Sequence, residues 1–278
     1  MSRDILHFSH ANGFPAGCYR KFFSYLEPDF RVASINCIGH DRAYPVTDGW
    51  PHLVAQLIDY LSSHYRMPVV GVGHSLGGYL TFMAAVQRPE LFKCIVLLDA
   101  PIMGYFQGTA FAMLKRLGLA DRVTPAHSTR ERRRDWHTTE DMVAHFRRRK
   151  IFRHFDPDCL QDYAVLGTVR EGGRVRLLFD PEIEYQIYRS MPHDLIHYCK
   201  RLKVPAGFIG GRHSDVLRQV GWAAEEGALR RFDLPLAVNI ALKKIREGAW
   251  TRPNRMPPNW WPSVAMARHA APGLCSVA

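Results

Sequence analysis

A serine stands between closely spaced glycines in the segment Gly-His-Ser-Leu-Gly of residues 73–77. A serine hydroxyl can attack a carbonyl carbon when a base removes its proton and N–H groups stabilise the resulting oxyanion. Apolar residues 67–72 precede the segment, and residues 79–86 follow it with the apolar spacing of a helix. This pattern predicts a strand, a sharp turn and a helix, with glycines that leave room for their close approach. We interpret Ser75 as the candidate nucleophile; an ordinary strand–helix turn is the alternative.

A second motif lies upstream, where residues 10–15 read His-Ala-Asn-Gly-Phe-Pro between a predicted strand at 5–9 and a predicted helix at 17–26. An Asn-Gly pair alone is typical of a plain turn, because both residues tolerate a positive φ. Together with the serine segment, this arrangement resembles the α/β-hydrolase fold family. The resemblance implies an oxyanion hole formed by the backbone N–H groups of Phe14 and Leu76.

The wider pattern alternates strands with helices. Further strands are predicted at residues 31–37, 94–98 and 204–211, and the amphipathic segment 50–65 predicts a helix. Strands separated by helices are typical of a mostly parallel sheet with helices on its faces. The expected fold class is therefore α/β, and by the resemblance it is the α/β-hydrolase fold.

The predicted organisation is a hydrolase-fold core interrupted by an inserted segment. We expect the core to comprise residues 1–101 and 203–278. Residues 102–202 show a helical pattern and, by the resemblance, form a helical lid, with predicted helices at 109–118, 138–154, 158–169 and 181–190. Residues 218–278 do not follow the pattern of the family, so this tail is atypical.

A serine nucleophile requires a general base, and the base requires an orienting carboxylate. In this fold the acid follows the nucleophile along the chain and the histidine comes last. The resemblance places the acid at Asp215, in the Ser-Asp-Val sequence after the predicted strand 204–211. An Asx turn is the alternative interpretation of Asp215. Asp99, at the end of the preceding strand, is the alternative acid.

The catalytic histidine is harder to place. After Asp215 the only histidine is His269, and its surroundings lack the strand and glycine that precede the catalytic histidine in the resembled family. Three interpretations stay open: His269 is the base, another histidine such as His10 or His213 serves, or the native ending has been lost through a shifted reading frame. Because no apolar pattern guides the tail towards the sheet, we expect His269 to lie far from Ser75.

The resemblance implies a serine hydrolase that acts on a carboxylic ester or thioester through an acyl-enzyme intermediate. It implies no cofactor, because the fold supplies the nucleophile and the oxyanion hole, and no metal-binding motif is present. Two alternatives remain. One is an acyltransferase on the same fold, and the other is a catalytically impaired protein of this fold that binds a ligand.

The composition limits the classes of partner. The net charge is +11 over 278 residues, but no basic stripe interleaved with aromatic residues predicts nucleic-acid binding. No apolar run reaches the ~18 residues that a membrane span needs, and the N-terminus lacks the apolar segment of a signal peptide. We therefore expect a cytoplasmic protein with a small-molecule substrate. The sequence leaves its oligomeric state open.

Overall fold

A computed structural model of the chain describes residues 3–149, 152, 155–211 and 262–263. Six strands form one large sheet, in which the first strand pairs with the second and the third. The strands of this sheet are β1 Asp4–Ser9, β2 Phe30–Ser34, β3 Val69–His74, β4 Phe92–Leu98, and two later strands, at Ala206–Gly211 and Pro262–Ser263. The inserted segment contains three short strands, β5 Asp135–Trp136, β6 Thr168–Glu171 and β7 Arg174–Leu177. The two later strands of the large sheet are therefore β8, at Ala206–Gly211, and β9, at Pro262–Ser263.

The large sheet has the strand order β2-β1-β3-β4-β8-β9. Its first five strands run parallel, and β9 pairs antiparallel with β8. Within the described residues, the predicted strands of the core are all present, with ends that differ by a few residues. The predicted α/β class, with a mostly parallel sheet between helices, is thus confirmed.

Helices connect these strands. The α-helices of the described residues are α1 Arg20–Leu26, α2 Pro51–His64, α3 Leu76–Gln87, α4 Tyr105–Arg116, α5 Ala120–Val123, α6 Ala126–Arg130, α7 Thr139–Arg147, α8 Pro157–Leu166 and α9 Pro181–Arg189. Short 3-10 helices lie at Ala16–Tyr19, Pro89–Leu91 and Leu195–Arg201. None of the helices in the described ranges is long and apolar enough to cross a bilayer.

Both faces of the sheet are buried, as continuous apolar strands require. Alternate residues of β1, β3 and β4 face α1, α7 and α8 in one apolar cluster that includes Leu6, Phe8 and Val96. The intervening residues face α2 and α3 in a second cluster that includes Ile95 and Leu97. Helix α3 is buried along almost its whole length, so it packs firmly against the sheet.

The inserted segment, residues 102–202, contains the four predicted helices as α4, α7, α8 and α9, but it is not purely helical. It also contains a three-stranded antiparallel sheet with the order β5-β7-β6. Gly172 and Gly173 join β6 to β7 with φ values of 56° and 74°. A positive φ at both central residues is typical of a tight hairpin turn. The predicted helix 138–154 is also shorter, because α7 ends at Arg147.

Candidate active site

Ser75 occupies the turn between β3 and α3. Its backbone has φ 49° and ψ −115°, a conformation that non-glycine residues rarely adopt. Three hydrogen bonds hold it there: the Ser75 N–H donates to the Leu98 carbonyl at 2.9 Å, and the Ser75 carbonyl accepts from Gly78 N–H at 2.9 Å and Tyr79 N–H at 3.1 Å. Strain that is maintained by surrounding contacts is characteristic of functional turns. The predicted strand, sharp turn and helix are therefore present around Ser75.

Two glycines allow this turn to pack closely. A Cβ atom on Gly77 would lie 2.0 Å from the Ser9 carbonyl oxygen, and one on Gly73 would lie 2.2 Å from the Gly77 carbonyl oxygen. Both contacts are to backbone atoms, so they cannot be relieved by a change of side-chain rotamer. The absence of these side chains lets β1, the turn and α3 approach one another.

We expect Gly77→Ala to lower the free energy of unfolding by about 3 kcal/mol, because the new methyl group must displace the end of β1 or the start of α3. The measurement is urea unfolding followed by circular dichroism. Gly118→Ala is the control, since its Cβ would meet nothing within 4 Å and only the positive φ of 70° is strained. The control Gly118→Ala should lower the free energy of unfolding by only about 1 kcal/mol. Equal losses in the two variants would contradict the packing argument.

The loop after β1 lies directly beside the turn. The Gly77 N–H donates to the His10 carbonyl at 3.1 Å, which joins the loop to the first turn of α3. Leu76 is the first residue of α3, where backbone N–H groups have no partner within the helix. The Phe14 N–H donates to the Ala11 carbonyl at 3.1 Å and closes a turn in the loop. An oxyanion role for Phe14 therefore requires its N–H to be shared with this turn or released from it.

Tyr19 connects the loop to the turn, a role that the sequence did not reveal. Its hydroxyl accepts a hydrogen bond from the Ala11 N–H at 3.2 Å and lies 2.7 Å from His74 Nδ1. The hydroxyl proton can thus be donated to Nδ1, which places the ring proton of His74 on Nε2. Desolvation, with a smaller effect from the nearby His10, lowers the pKa of His74 to about 4. His74 is consequently neutral at neutral pH.

We expect Tyr19→Phe to lower kcat for an activated ester by about tenfold, because the loop and the turn lose the hydroxyl that aligns them. Losing a buried hydrogen-bond partner typically costs 1–3 kcal/mol, and about 1.4 kcal/mol corresponds to one decade of rate. Tyr79→Phe is the matched control, because the Tyr79 hydroxyl is also buried but donates to the Pro101 carbonyl at 2.7 Å. Steady-state kinetics and thermal unfolding of both variants test this. A similar fall of kcat in the control would contradict a specific role of Tyr19.

His10 is bound at both ring nitrogens. Its Nδ1 donates to the Ala11 carbonyl at 2.9 Å, and its Nε2 accepts from the Ile38 N–H at 2.8 Å. Burial is the main cause that lowers the pKa of His10 to about 4. Because each nitrogen already has a backbone partner, His10 is poorly suited to accept a proton from Ser75. The alternative in which His10 is the base is thereby disfavoured.

Asp99 lies close to the turn, at the end of β4. It follows Leu98, whose carbonyl binds the Ser75 N–H, and the Asp99 N–H donates to the Ile209 carbonyl at 2.8 Å. Its φ of 49° is also positive. In the sequence, Asp215 comes four residues after the end of β8, the strand that pairs with β4. Because parallel strands end at the same edge of a sheet, both candidate acids follow strands that point to the edge where Ser75 lies.

The remaining predicted site residues lie outside the described residues. These are Asp215, His213 and His269, together with the atypical tail from residue 218 onwards, of which only Pro262 and Ser263 are described. Their places in the candidate site therefore stay predictions. The hydrogen bond between Gly77 and His10 joins the loop that carries Phe14 to the first turn of α3, which begins directly after Ser75.

Comparison with known proteins defines the class to which this fold and site belong. Residues 8–241 match the sequence model of the alpha/beta hydrolase family. Because the match spans most of the chain, the chain belongs to the alpha/beta hydrolase family. It is also similar to the abhydrolase domain-containing protein AFT2-1 of Alternaria alternata, at 27% identity over 156 residues. This alignment covers 56% of the chain and 53% of that protein, so the chain spans about half the length of this relative.

Solved structures share the fold. An E-2-(acetamidomethylene)succinate hydrolase superposes with a TM-score of 0.62 at 16% identity, covering 88% of this chain and 81% of its own. The thioesterase domain from the curacin biosynthetic pathway superposes with a TM-score of 0.61 at 17% identity, over 88% of this chain and 92% of that domain. A peroxisomal alpha-beta-hydrolase from Saccharomyces cerevisiae superposes with a TM-score of 0.62 at 15% identity, over 91% of this chain and 78% of that hydrolase. These identities are low, so the superpositions establish the common fold alone.

Proposed function

We propose that the protein is a serine hydrolase that cleaves a small-molecule carboxylic ester or thioester through an acyl-enzyme intermediate. The observation that carries the proposal is the strained backbone of Ser75, with φ 49° and ψ −115°, between β3 and α3 in a member of the alpha/beta hydrolase family. A serine at such a turn presents its hydroxyl above the sheet in enzymes of this fold. Ser75 directly precedes the buried helix α3, which supports this role. A cytoplasmic location is part of the same proposal.

The chemistry follows from this geometry. The Ser75 Oγ attacks the carbonyl carbon of the substrate while the base takes its proton, and the carbonyl oxygen becomes an oxyanion. The Leu76 N–H and, once released or shared, the Phe14 N–H donate to this oxygen. When the tetrahedral intermediate collapses, the protonated base gives its proton to the leaving alcohol or thiol. Water then releases the acid by the same steps in reverse order, with Ser75 as the leaving group.

The base and its orienting acid complete the proposal. Asp215 is the proposed acid, with Asp99 as the alternative. The nominal base is His269, the only histidine after Asp215 in the sequence, although the pattern of the tail leads us to expect it far from Ser75. The engagement of both His10 nitrogens supports a base from elsewhere in the chain. The alternative function is a ligand-binding protein of this fold without hydrolase activity.

The test is covalent labelling of the purified chain by a fluorophosphonate, which phosphonylates a serine only when that serine is activated. Mass spectrometry of tryptic peptides is expected to locate the adduct on Ser75. A chain that is not labelled, and that hydrolyses no activated ester or thioester, would overturn the proposal in favour of the ligand-binding alternative.

A further inference from the structure

A buried ion pair lies in the inserted segment, between Arg132 after α6 and Glu184 in α9. The Arg132 Nη2 lies 2.7 Å from Glu184 Oε2, and its Nη1 donates to Oε1 at 3.4 Å. The side chain of Glu184 is 5% exposed and that of Arg132 is 18% exposed. Charged groups are rarely buried without a structural or functional reason, because their desolvation is costly.

This pair packs directly on the loop that carries Phe14. The Asn12 Nδ2 donates to the Glu184 carbonyl at 3.0 Å. A Cβ atom on Gly13 would lie 2.7 Å from Glu184 Oε1, so the carboxylate rests against the backbone next to Phe14. The ring of Phe14 packs against that of Tyr163, with 5.0 Å between their centroids. The ion pair and Tyr163 are thus neighbours of the proposed oxyanion hole.

Three donors of this cluster are buried without an aligned hydrogen bond. They are Arg132 Nε, Arg132 Nη2 and the Tyr163 hydroxyl. The contact of Nη2 with Glu184 is an ion pair without an aligned hydrogen bond. The Tyr163 hydroxyl interacts with the Arg132 side chain, and this interaction lowers the pKa of Tyr163 against the larger effect of burial. Buried donors without partners are uncommon in proteins and are costly unless a ligand or water satisfies them. A bound polar group would give these donors aligned hydrogen bonds.

The charges of the cluster favour an anion. Burial raises the pKa of Glu184 to about 7, although the Arg132 charge opposes the increase. The other titratable groups that interact with Glu184 are Tyr163 and Tyr188, and desolvation raises the pKa of both, so they stay neutral. Arg132 retains its charge at every relevant pH. In the fraction of molecules in which Glu184 is protonated, the Arg132 charge has no counter-ion in this pair.

We propose that Arg132 and Tyr163 form a subsite for a carboxylate on the acyl part of the substrate, so that the preferred substrates are monoesters or monothioesters of short dicarboxylic acids. This inference rests on the proposed hydrolase function. The substrate carboxylate accepts hydrogen bonds from Arg132 Nε, Arg132 Nη2 and the Tyr163 hydroxyl. A guanidinium edge matches a carboxylate in two parallel hydrogen bonds. Glu184 is a positioning residue that holds the other edge of the guanidinium.

Binding is tested with amides, which resist hydrolysis, by isothermal titration calorimetry. Succinamate carries the carboxylate, and butyramide is the uncharged compound of similar size. The unmodified chain is expected to bind succinamate at least tenfold more tightly than butyramide. Tyr163→Phe should reduce this preference about threefold, since one of three donors is lost. Equal binding of the two amides by the unmodified chain would overturn the subsite.

Charge variants separate a ligand-binding pair from a structural one. Glu184→Gln should keep or strengthen the succinamate preference, because the Arg132 charge loses its counter-ion. The double variant Arg132→Gln/Glu184→Gln, which keeps both side chains polar and leaves no unpaired buried charge, should abolish the preference. The surface pair Arg176–Glu171, with 49% and 63% exposed side chains, provides the control Arg176→Gln/Glu171→Gln. A preference that survives in the first double variant would overturn the subsite.

Hydrolysis distinguishes the subsite from the function on which it rests. The ratio of kcat/KM for mono-p-nitrophenyl succinate to that for p-nitrophenyl butyrate is expected to be at least ten, and near one in Arg132→Gln/Glu184→Gln. If both esters are cleaved at equal rates, the subsite is wrong and the hydrolase proposal stands. If neither ester is cleaved but succinamate is preferred in binding, the subsite stands and the hydrolase proposal is wrong.

Discussion

Ser75→Ala is expected to lower kcat for p-nitrophenyl butyrate by about 10⁶, the loss found when the nucleophile of a serine triad is removed. The effect is large because no other group in the proposed mechanism can form the acyl-enzyme. The fold should be retained, since alanine loses only the hydroxyl and the three backbone hydrogen bonds at Ser75 do not involve it. Kinetics and fluorophosphonate labelling test the change, and circular dichroism checks the fold.

Ser63→Ala is the control for this experiment, because Ser63 is an exposed residue whose hydroxyl donates to the Asp59 carbonyl at 2.7 Å. Its kinetics and labelling should equal those of the unmodified chain. Hydrolysis that persists at the original rate in Ser75→Ala would show that the nucleophile is another residue.

The turn around Ser75 could be predicted from the sequence because its requirements are local. A buried strand, glycines at 73 and 77 and an apolar helix are consecutive in the chain, and each restricts the backbone in a known way. The structure confirms the local arrangement and adds its cause. Gly77 faces the Ser9 carbonyl of a different strand, so the spacing of the motif reflects a tertiary contact.

The hairpin of β6 and β7 in the inserted segment is not among the predicted elements, although the sequence contains a local signal for it. Gly172 and Gly173 are adjacent, and two glycines between short runs that contain β-branched residues are typical of a tight hairpin turn. Polar residues dominate β6 and β7, with Val175 the buried residue of their central strand. The alternation of apolar and polar residues in β6 and β7 is therefore weak, and the helical pattern of the neighbouring segments is the stronger signal.

The contacts that shape the candidate site could not be predicted. Arg132 and Glu184 are far apart in the chain, and each resembles an ordinary charged residue of a helical surface. Tyr19 likewise belongs to a short 3-10 helix with no motif of its own. Their roles depend on which loop they meet after folding. Sequence patterns report burial and turns, whereas pairing between distant polar groups is set by tertiary packing.

Asp215→Asn is expected to lower kcat by about 10⁴, because asparagine preserves the shape of the side chain but favours the wrong tautomer of the catalytic histidine. Asp99→Asn should have a much smaller effect, of about tenfold or less. Steady-state kinetics with p-nitrophenyl butyrate compares the two variants. Each substitution changes charge without changing size, so each serves as the control for the other.

The sheet explains why this comparison is needed. Strands β4 and β8 are parallel neighbours, and the Asp99 N–H binds the Ile209 carbonyl of β8 at 2.8 Å. A carboxylate that follows either strand can therefore approach a histidine above the edge where Ser75 lies. If the ranking is reversed, the acid belongs to β4. The double variant Asp99→Asn/Asp215→Asn shows whether one carboxylate or both orient the base. If only one does, the double variant has the same kcat as the single variant that lacks that carboxylate.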